Sequence, residues 1–317
     1  MVKLVLVMDK EFGFEMIDFH THVYPDKIAA KLMHDLADTH YWGHFADGTL
    51  NGLVSSMKAA GIDCCVTQPV VTRPDQFDSI NSFAGKQQGV DGLIPFGGIH
   101  PDCEDIPGKL RWLKREGFPG IKLHPDWQNL FLDEPRAVYL IREALAQDLI
   151  VMIHTGYDGA FPDSDHCTPR RSLGLLEQLE DPGQETRKLV LAHSGGHLEH
   201  EDVKKYLLGA NVYFDISLSQ MYISDEEFRK LVDGHGADRL LFATDSPYAD
   251  QTHSVEAIKK RPLSSEEYTL ITEGNARKLL CIPDGYYKRE HLSDNDGFSR
   301  SSHQSSGFIE RRSFSAP

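Results

Sequence analysis

Eight short apolar runs, separated by longer stretches with helical periodicity, restrict the fold of this chain more than any other feature. The runs are Met16 to Phe19, Cys64 to Gln68, Leu93 to Ile99, Gly120 to Leu123, Ile150 to Ile153, Leu189 to Ala192, Val212 to Ile216 and Leu240 to Ala243. Most are near-continuous in Val, Ile, Leu and Phe, as strands covered on both faces should be. Between them the spacing predicts amphipathic helices. One spans Pro135 to Gln147, with apolar residues at 137, 138, 140, 141 and 145; another spans Asp225 to Val232, opened by Ser224 with Glu227 three positions on. Strand then helix, eight times over, predicts one closed parallel (β/α)8 domain, a TIM barrel. The alternative is a doubly wound open sheet. Eight regular units without a Gly-x-Gly-x-x-Gly turn count against it.

The pattern begins at Met16 and ends near Leu280. Residues 16–282 are therefore the expected barrel domain and residues 1–15 an N-terminal extension. Residues 283–317 are rich in Ser and charge, bury too little to offset their ordering entropy, and are expected to be disordered. No stretch approaches the roughly 20 apolar residues of a membrane helix. A formal net charge of −15 suits neither nucleic acid nor an anionic membrane. A small-molecule substrate is the expected partner, and a homo-oligomer is compatible with the composition. Cys64, Cys65, Cys103, Cys167 and Cys281 form no C-x-x-C pair, and the opening residues lack a secretory core, so a cytoplasmic protein is expected.

Polar residues able to bind a metal fall where the runs end. His20 and His22 follow the first, His100 the third, Lys122 and His124 lie at the fourth, His154 follows the fifth, His193 the sixth and Asp245 the eighth. In a (β/α)8 barrel these C-terminal strand ends form one rim, where active sites sit. His20 and His22 are two apart, which places both imidazoles on one side of an extended chain. Neutral imidazole is the commonest ligand for zinc and similar ions. Asp245 ends a buried strand, which is costly for a carboxylate unless it is paired or metal-bound. Its expected role is to touch the ion and take a proton from water as general base; an N-cap of the next helix is the alternative. Zinc lowers the pKa of bound water to about 7.

Five segments in order carry a family resemblance: Asp18-Phe19-His20-Thr21-His22-Val23-Tyr24-Pro25, Gly120-Ile121-Lys122-Leu123-His124-Pro125, Ile153-His154-Thr155-Gly156, Leu191-Ala192-His193-Ser194-Gly195-Gly196 and Ala243-Thr244-Asp245-Ser246-Pro247. With Gly274-Asn275-Ala276-Arg277-Lys278-Leu279-Leu280 as a closing helix, the chain from Met16 to about Leu280 resembles the amidohydrolase superfamily. The branch is that of amidohydrolase-related (amidohydrolase family 2) TIM-barrel metal-dependent hydrolases. The resemblance implies His20, His22, His154 and Asp245 as metal ligands. It implies His193 as a ligand of a second ion or a group that polarises the substrate and activates water. Lys122 would be either a carboxylated bridge between two ions or, with His124, part of substrate binding. The implied cofactor is one or two divalent ions, zinc first and manganese as the alternative.

The resemblance further implies hydrolysis of an amide, ester or lactone in a small polar substrate. Its alternatives are non-oxidative decarboxylation within the superfamily and a TatD-like metal-dependent nuclease. Lys122 stands where the nuclease group has a glutamate, and the acidic charge suits a polyanion poorly. A binding protein without turnover is disfavoured by the intact ligand set. Weaker site candidates are Asp126 and Gln128, and His166, Arg170 and Arg171 in the loop after the fifth run. His197 and His200 are expected on a solvated helix start.

Overall fold

A computed structural model describes residues 16–37, 45–90, 92–179 and 188–282. The expected extension and tail lie outside the described residues. The strands are β1 (Ile17–Thr21), β2 (Cys64–Thr67), β3 (Leu93–Pro95), β4 (Gly97–Gly98), β5 (Gly120–Leu123), β6 (Ile150–Ile153), β7 (Leu189–Leu191), β8 (Tyr213–Asp215) and β9 (Leu240–Leu241). Every pairing is parallel and joins neighbours in sequence, in the orders β1-β2-β3 and β4-β5-β6-β7-β8-β9.

The third predicted run is one stave interrupted at Phe96. Its backbone N–H still donates to the Thr67 carbonyl at 2.9 Å, and its ring packs edge-on against Phe19 at 5.9 Å. Gly120 leaves room for that ring, since a Cβ there would lie 2.5 Å from it. The last stave returns to the first through Phe19 N–H to Phe242 O (2.9 Å), Asp245 N–H to His20 O (2.8 Å) and His22 N–H to Ser246 O (2.6 Å). A parallel bridge between Thr21 and Ser246 completes the ring of eight staves. This is the expected (β/α)8 barrel.

Side-chain alternation splits the apolar core in two. Ile17, Phe19, Val66, Phe96, Met152, Val190 and Leu241 form an inner cluster that the closing helix joins through Ala276 and Leu279. Cys65, Ile121, Val151, Leu191, Phe214 and Phe242 instead pack against helix residues such as Leu110, Leu140, Leu175 and Phe228. Strands covered on both faces read as continuous apolar runs for this reason.

The helix at Asp225–His235 is capped as expected, Ser224 accepting from Glu227 N–H at 3.2 Å. The other predicted helix spans Pro135–Ala146. The helix at Gln251–Lys260 is capped by Asp250, which removes the N-cap alternative for Asp245.

One buried carboxylate joins the first and last staves. Asp18 is fully buried and accepts from Thr244 N–H (2.9 Å), Thr244 Oγ1–H (2.6 Å), Gln251 Nε2–H (2.8 Å) and His20 N–H (3.2 Å). Burial pushes its acid up to about 6 against these four donors. Asp18 thereby holds the segments that carry His20, His22 and Asp245 side by side.

Candidate metal centre and active site

His20 lies next to last in β1 with its Nδ1 2.9 Å from Asp215 Oδ2, and His22, just past the strand, places Nδ1 2.7 Å from the Gln68 carbonyl. A carboxylate and a carbonyl can only accept, so both rings donate Nδ1–H and keep their lone pairs on Nε2. The two Nε2 atoms lie 3.1 Å apart, and Asp245 Oδ1 lies 3.4 Å from the first and 3.3 Å from the second. Three atoms bearing lone pairs thus converge with no hydrogen between them, an arrangement that a cation relieves. The separations match ligands each about 2.0–2.2 Å from one divalent ion. The chemistry and geometry of this donor set therefore fit a metal.

The electrostatics agree. Burial alone would raise the Asp245 acid, but His20, His22 and His193 beside it hold it well below the ordinary carboxylate range. His22 is pushed down, mainly by burial, and stays neutral as a ligand must. Lys122 on β5 is wholly buried with Nζ 2.9 Å from His20 Nε2. Burial lowers its pKa to about 8, opposed by Asp215 and Asp245. His193 is lowered to about 3 by burial, with the same two carboxylates opposing.

His193 links the remaining groups. Its Nε2 is 3.1 Å from His154 Nδ1, and its Nδ1 is 2.8 Å from Ser217 Oγ. His154 is therefore one ring removed from the trio of His20, His22 and Asp245, whose ligand atoms lie within 4.8 Å of one another. His124 stacks on His154 at 4.0 Å with an 8° interplanar angle and reaches Asp158 at 3.4 Å. His124, Asp126, His154 and Asp158 also bring one ligand atom each within 4.8 Å of one another, a second group able to hold an ion. Burial holds both rings far below the usual imidazole range.

Four non-glycine residues lining this rim have positive φ: His193 (54°), Leu198 (59°), Leu218 (64°) and Asp245 (70°). Such conformations cost roughly 1–3 kcal/mol each in non-glycine residues and cluster at functional sites. Here they turn side chains into a cavity of about 510 Å³, a size suited to a small molecule. His20, His22, Lys122, His154, His193 and Asp245 line it, as do His124, Asp158, Tyr157 and Tyr248. Apolar walls come from Ile28, Val70, Ile80, Phe83, Trp127 and Leu218, and among the described lining residues there is no arginine.

Several weaker expectations resolve differently. His100 does not line this cavity; its Nδ1 accepts from Asp102 N–H at 3.1 Å. Gln128 is a tie, donating to Val71 O and Ile99 O and accepting from His124 N–H. Asp126 and His166 bind each other at 3.1 Å and anchor the loop after β6. Arg171 pairs with Asp133 and Asp165 over the Phe131 ring, away from the cavity. His197, expected on a solvated helix start, instead lines the cavity. Its N–H donates to Thr155 O and its ring lies 5.6 Å from His193. The helix itself begins at His200.

The sequence alone assigns no role to Asp18, Asp215 or Ser217. Asp215 sits inside the apolar run Val212 to Ile216, a signal of the same kind that singled out Asp245.

Known proteins share this architecture. The structure of 5-carboxyvanillate decarboxylase from Novosphingobium aromaticivorans, with bound manganese, is 17% identical with a TM-score of 0.61, covering 85% of this chain and 98% of that one. A probable 2-pyrone-4,6-dicarboxylic acid hydrolase from Acinetobacter baumannii is 17% identical with a TM-score of 0.59, covering 84% and 100%. An uncharacterized TIM-barrel protein from Bordetella bronchiseptica is 18% identical with a TM-score of 0.66, covering 84% and 98%. Among curated protein sequences no match was found. The Amidohydro_2 family profile, described as amidohydrolase, matches residues 17–282. That match takes in every stave of the barrel, so the chain belongs to the amidohydrolase family and is an enzyme of the metal-dependent amidohydrolase superfamily.

Proposed function

We propose that this enzyme hydrolyses an amide, ester or lactone bond in a small molecule whose reacting group is polar and whose body is largely apolar. The observation that carries the reading is the convergence of His20 Nε2, His22 Nε2 and Asp245 Oδ1 at 3.1–3.4 Å. A divalent ion held there, zinc or manganese, supplies Lewis acidity for polarising a carbonyl and acidifying water. His154 is the proposed further ligand. His193, held neutral by burial, would stand beside the reacting group and help polarise the substrate, with its Nε2 shared with His154 Nδ1. Asp245 is the proposed general base, its ionised carboxylate facing both the donor set and the cavity. Lys122, as an unmodified amine beside a single ion, would balance negative charge developing on the substrate; His124 would contact the substrate from the cavity wall. The apolar walls exclude bulk water and strengthen these interactions.

The absence of arginine from the described lining favours a substrate without a second carboxylate, because bidentate guanidinium pairing is the usual anchor for one. Decarboxylation of an aromatic acid is the second reading. The aromatic-sized apolar cavity supports it, since a carboxylate brought into apolar surroundings gains by leaving as neutral CO₂ while a proton takes up the electron pair left on the ring carbon. Among the described residues no helix is long and apolar enough to cross a membrane. The proposed enzyme is cytoplasmic and homo-oligomeric and has no nucleic-acid partner.

The test is a screen of zinc- and manganese-reconstituted enzyme against small amides, esters, lactones and aromatic acids. Hydrolytic products are expected. Release of CO₂ alone would transfer the assignment to the second reading, and inactivity on every class would sink both.

A further inference from the structure

We infer that Asp215 is a positioning residue that fixes the tautomers of three histidines at once: His20 directly, and His193 and His154 through Ser217. The inference rests on the metal-site reading above and on proton counting along a chain of buried hydrogen bonds.

Asp215 is fully buried at the end of β8, where two backbone N–H groups, which can only donate, and a serine hydroxyl surround its carboxylate. An ionised carboxylate only accepts. Its Oδ2 takes the Nδ1–H of His20 at 2.9 Å, which leaves the His20 lone pair on Nε2, the atom facing His22 and Asp245. Its Oδ1 takes the backbone N–H of His193 (3.0 Å), the backbone N–H of Ser217 (2.9 Å) and the Ser217 hydroxyl (2.5 Å).

The hydroxyl has one proton, and it is committed to Asp215. Ser217 Oγ must therefore accept from His193 Nδ1, which carries a hydrogen and leaves the lone pair on Nε2. That lone pair faces His154 Nδ1 at 3.1 Å, so His154 donates there and keeps its own lone pair on Nε2. His154 Nε2 is buried and has no hydrogen-bond partner. The relay thus ends in an unpartnered lone pair at the cavity, the form a ligand or proton acceptor needs. One carboxylate on β8 sets the donor atoms of a group on β1 and of groups following β6 and β7.

The test reads tautomers in metal-free, 15N-histidine-labelled protein by long-range 1H–15N correlation, and metal affinity separately with Zn²⁺. In wild type, His20, His193 and His154 should all be Nδ1–H. In Asp215→Asn the amide oxygen should stay with the two backbone N–H groups and the Ser217 hydroxyl, turning its NH₂ toward His20. His20 should then invert to Nε2–H while His193 stays unchanged, and the Zn²⁺ Kd should rise 10- to 100-fold, as for outer-shell partners generally. Ser217→Ala should do the reverse, leaving His20 as Nδ1–H and releasing His193 and His154 toward the Nε2–H form that free imidazole prefers. A merely structural Asp215 would lower stability without this split. Wild-type His20 as Nε2–H, or tautomers unchanged in both variants, would overturn the inference. Should Asp215→Asn fail to fold, the wild-type spectrum decides the His20 limb and Ser217→Ala the other. Because the tautomers are read without metal, their outcome is separable from failure of the metal reading.

Discussion

Asp18 offers a quantitative test of how the barrel seam holds the site together. Two substitutions separate its two contributions. At pH 7.5 the wild-type carboxylate is ionised although its folded-state pKa is raised from 3.8 to about 6. That difference disfavours the folded charged form by roughly 3 kcal/mol. Asp18→Asn removes the charge and keeps one acceptor oxygen for the His20 and Thr244 amides, but sets an NH₂ against Thr244 Oγ1 and Gln251 Nε2, at a cost of roughly 1–3 kcal/mol. The two effects largely offset, and this variant is expected about 0–2 kcal/mol more stable than wild type. Asp18→Ala additionally strands two buried backbone amides, each costing roughly 1–3 kcal/mol. It should therefore lie about 2–6 kcal/mol below the Asn variant in urea unfolding. The sign with pH is also fixed. A raised carboxylate pKa means the folded state binds the extra proton between pH 3.8 and about 6, so its contribution to stability declines as pH rises through that window. Asp18→Asn should remove that component. If the Ala and Asn variants unfold within 1 kcal/mol of each other, Asp18 is not the acceptor of these amides and the seam argument fails.

Three further outcomes are expected. Asp245→Asn should lower turnover by at least about 10²-fold while leaving the far-ultraviolet circular dichroism and the thermal midpoint near wild type, in line with loss of a positioned base; near-normal turnover would rule out Asp245 as base. Gly156→Ala should cost roughly 3–5 kcal/mol in urea unfolding, from overpacking plus a positive φ. The added Cβ would meet His197 N at 2.0 Å and Gly196 C at 2.6 Å, backbone atoms at a residue with φ of 88°. Buried His235 stacks on Phe214 at 3.7 Å and lies 3.0 Å from Val212 O, and burial lowers its pKa from 6.5 to about 4. Its neutral form contributes stability that is present above pH 6.5 and lost as pH falls through about 4, up to roughly 3 kcal/mol. The difference in unfolding free energy between wild type and His235→Gln should shrink across that window; parallel curves would contradict the assignment.

The barrel was legible because its staves are apolar on both faces, and the rim was legible because histidines and a carboxylate end those staves. What lay outside reach depended on pairings distant in sequence. His100 sits just beyond the stave that bends at Phe96, and its ring turns to Asp102 instead of the cavity. His197 enters the cavity because its segment bridges Gly156 across the barrel rim, a contact that no local pattern announces. Asp18 and Asp215 were readable in principle as carboxylates inside apolar runs. Their roles were not, since each depends on donors supplied by other staves.

The central claim is that His20, His22 and Asp245 hold a divalent ion. Calorimetric titration of chelator-stripped protein with Zn²⁺ and Mn²⁺, backed by elemental analysis, tests it most directly. Wild type should bind one ion per chain with high affinity, and His20→Ala combined with His22→Ala should abolish that binding while circular dichroism shows the barrel intact. No binding by wild type, or full occupancy retained by the double variant, would contradict it.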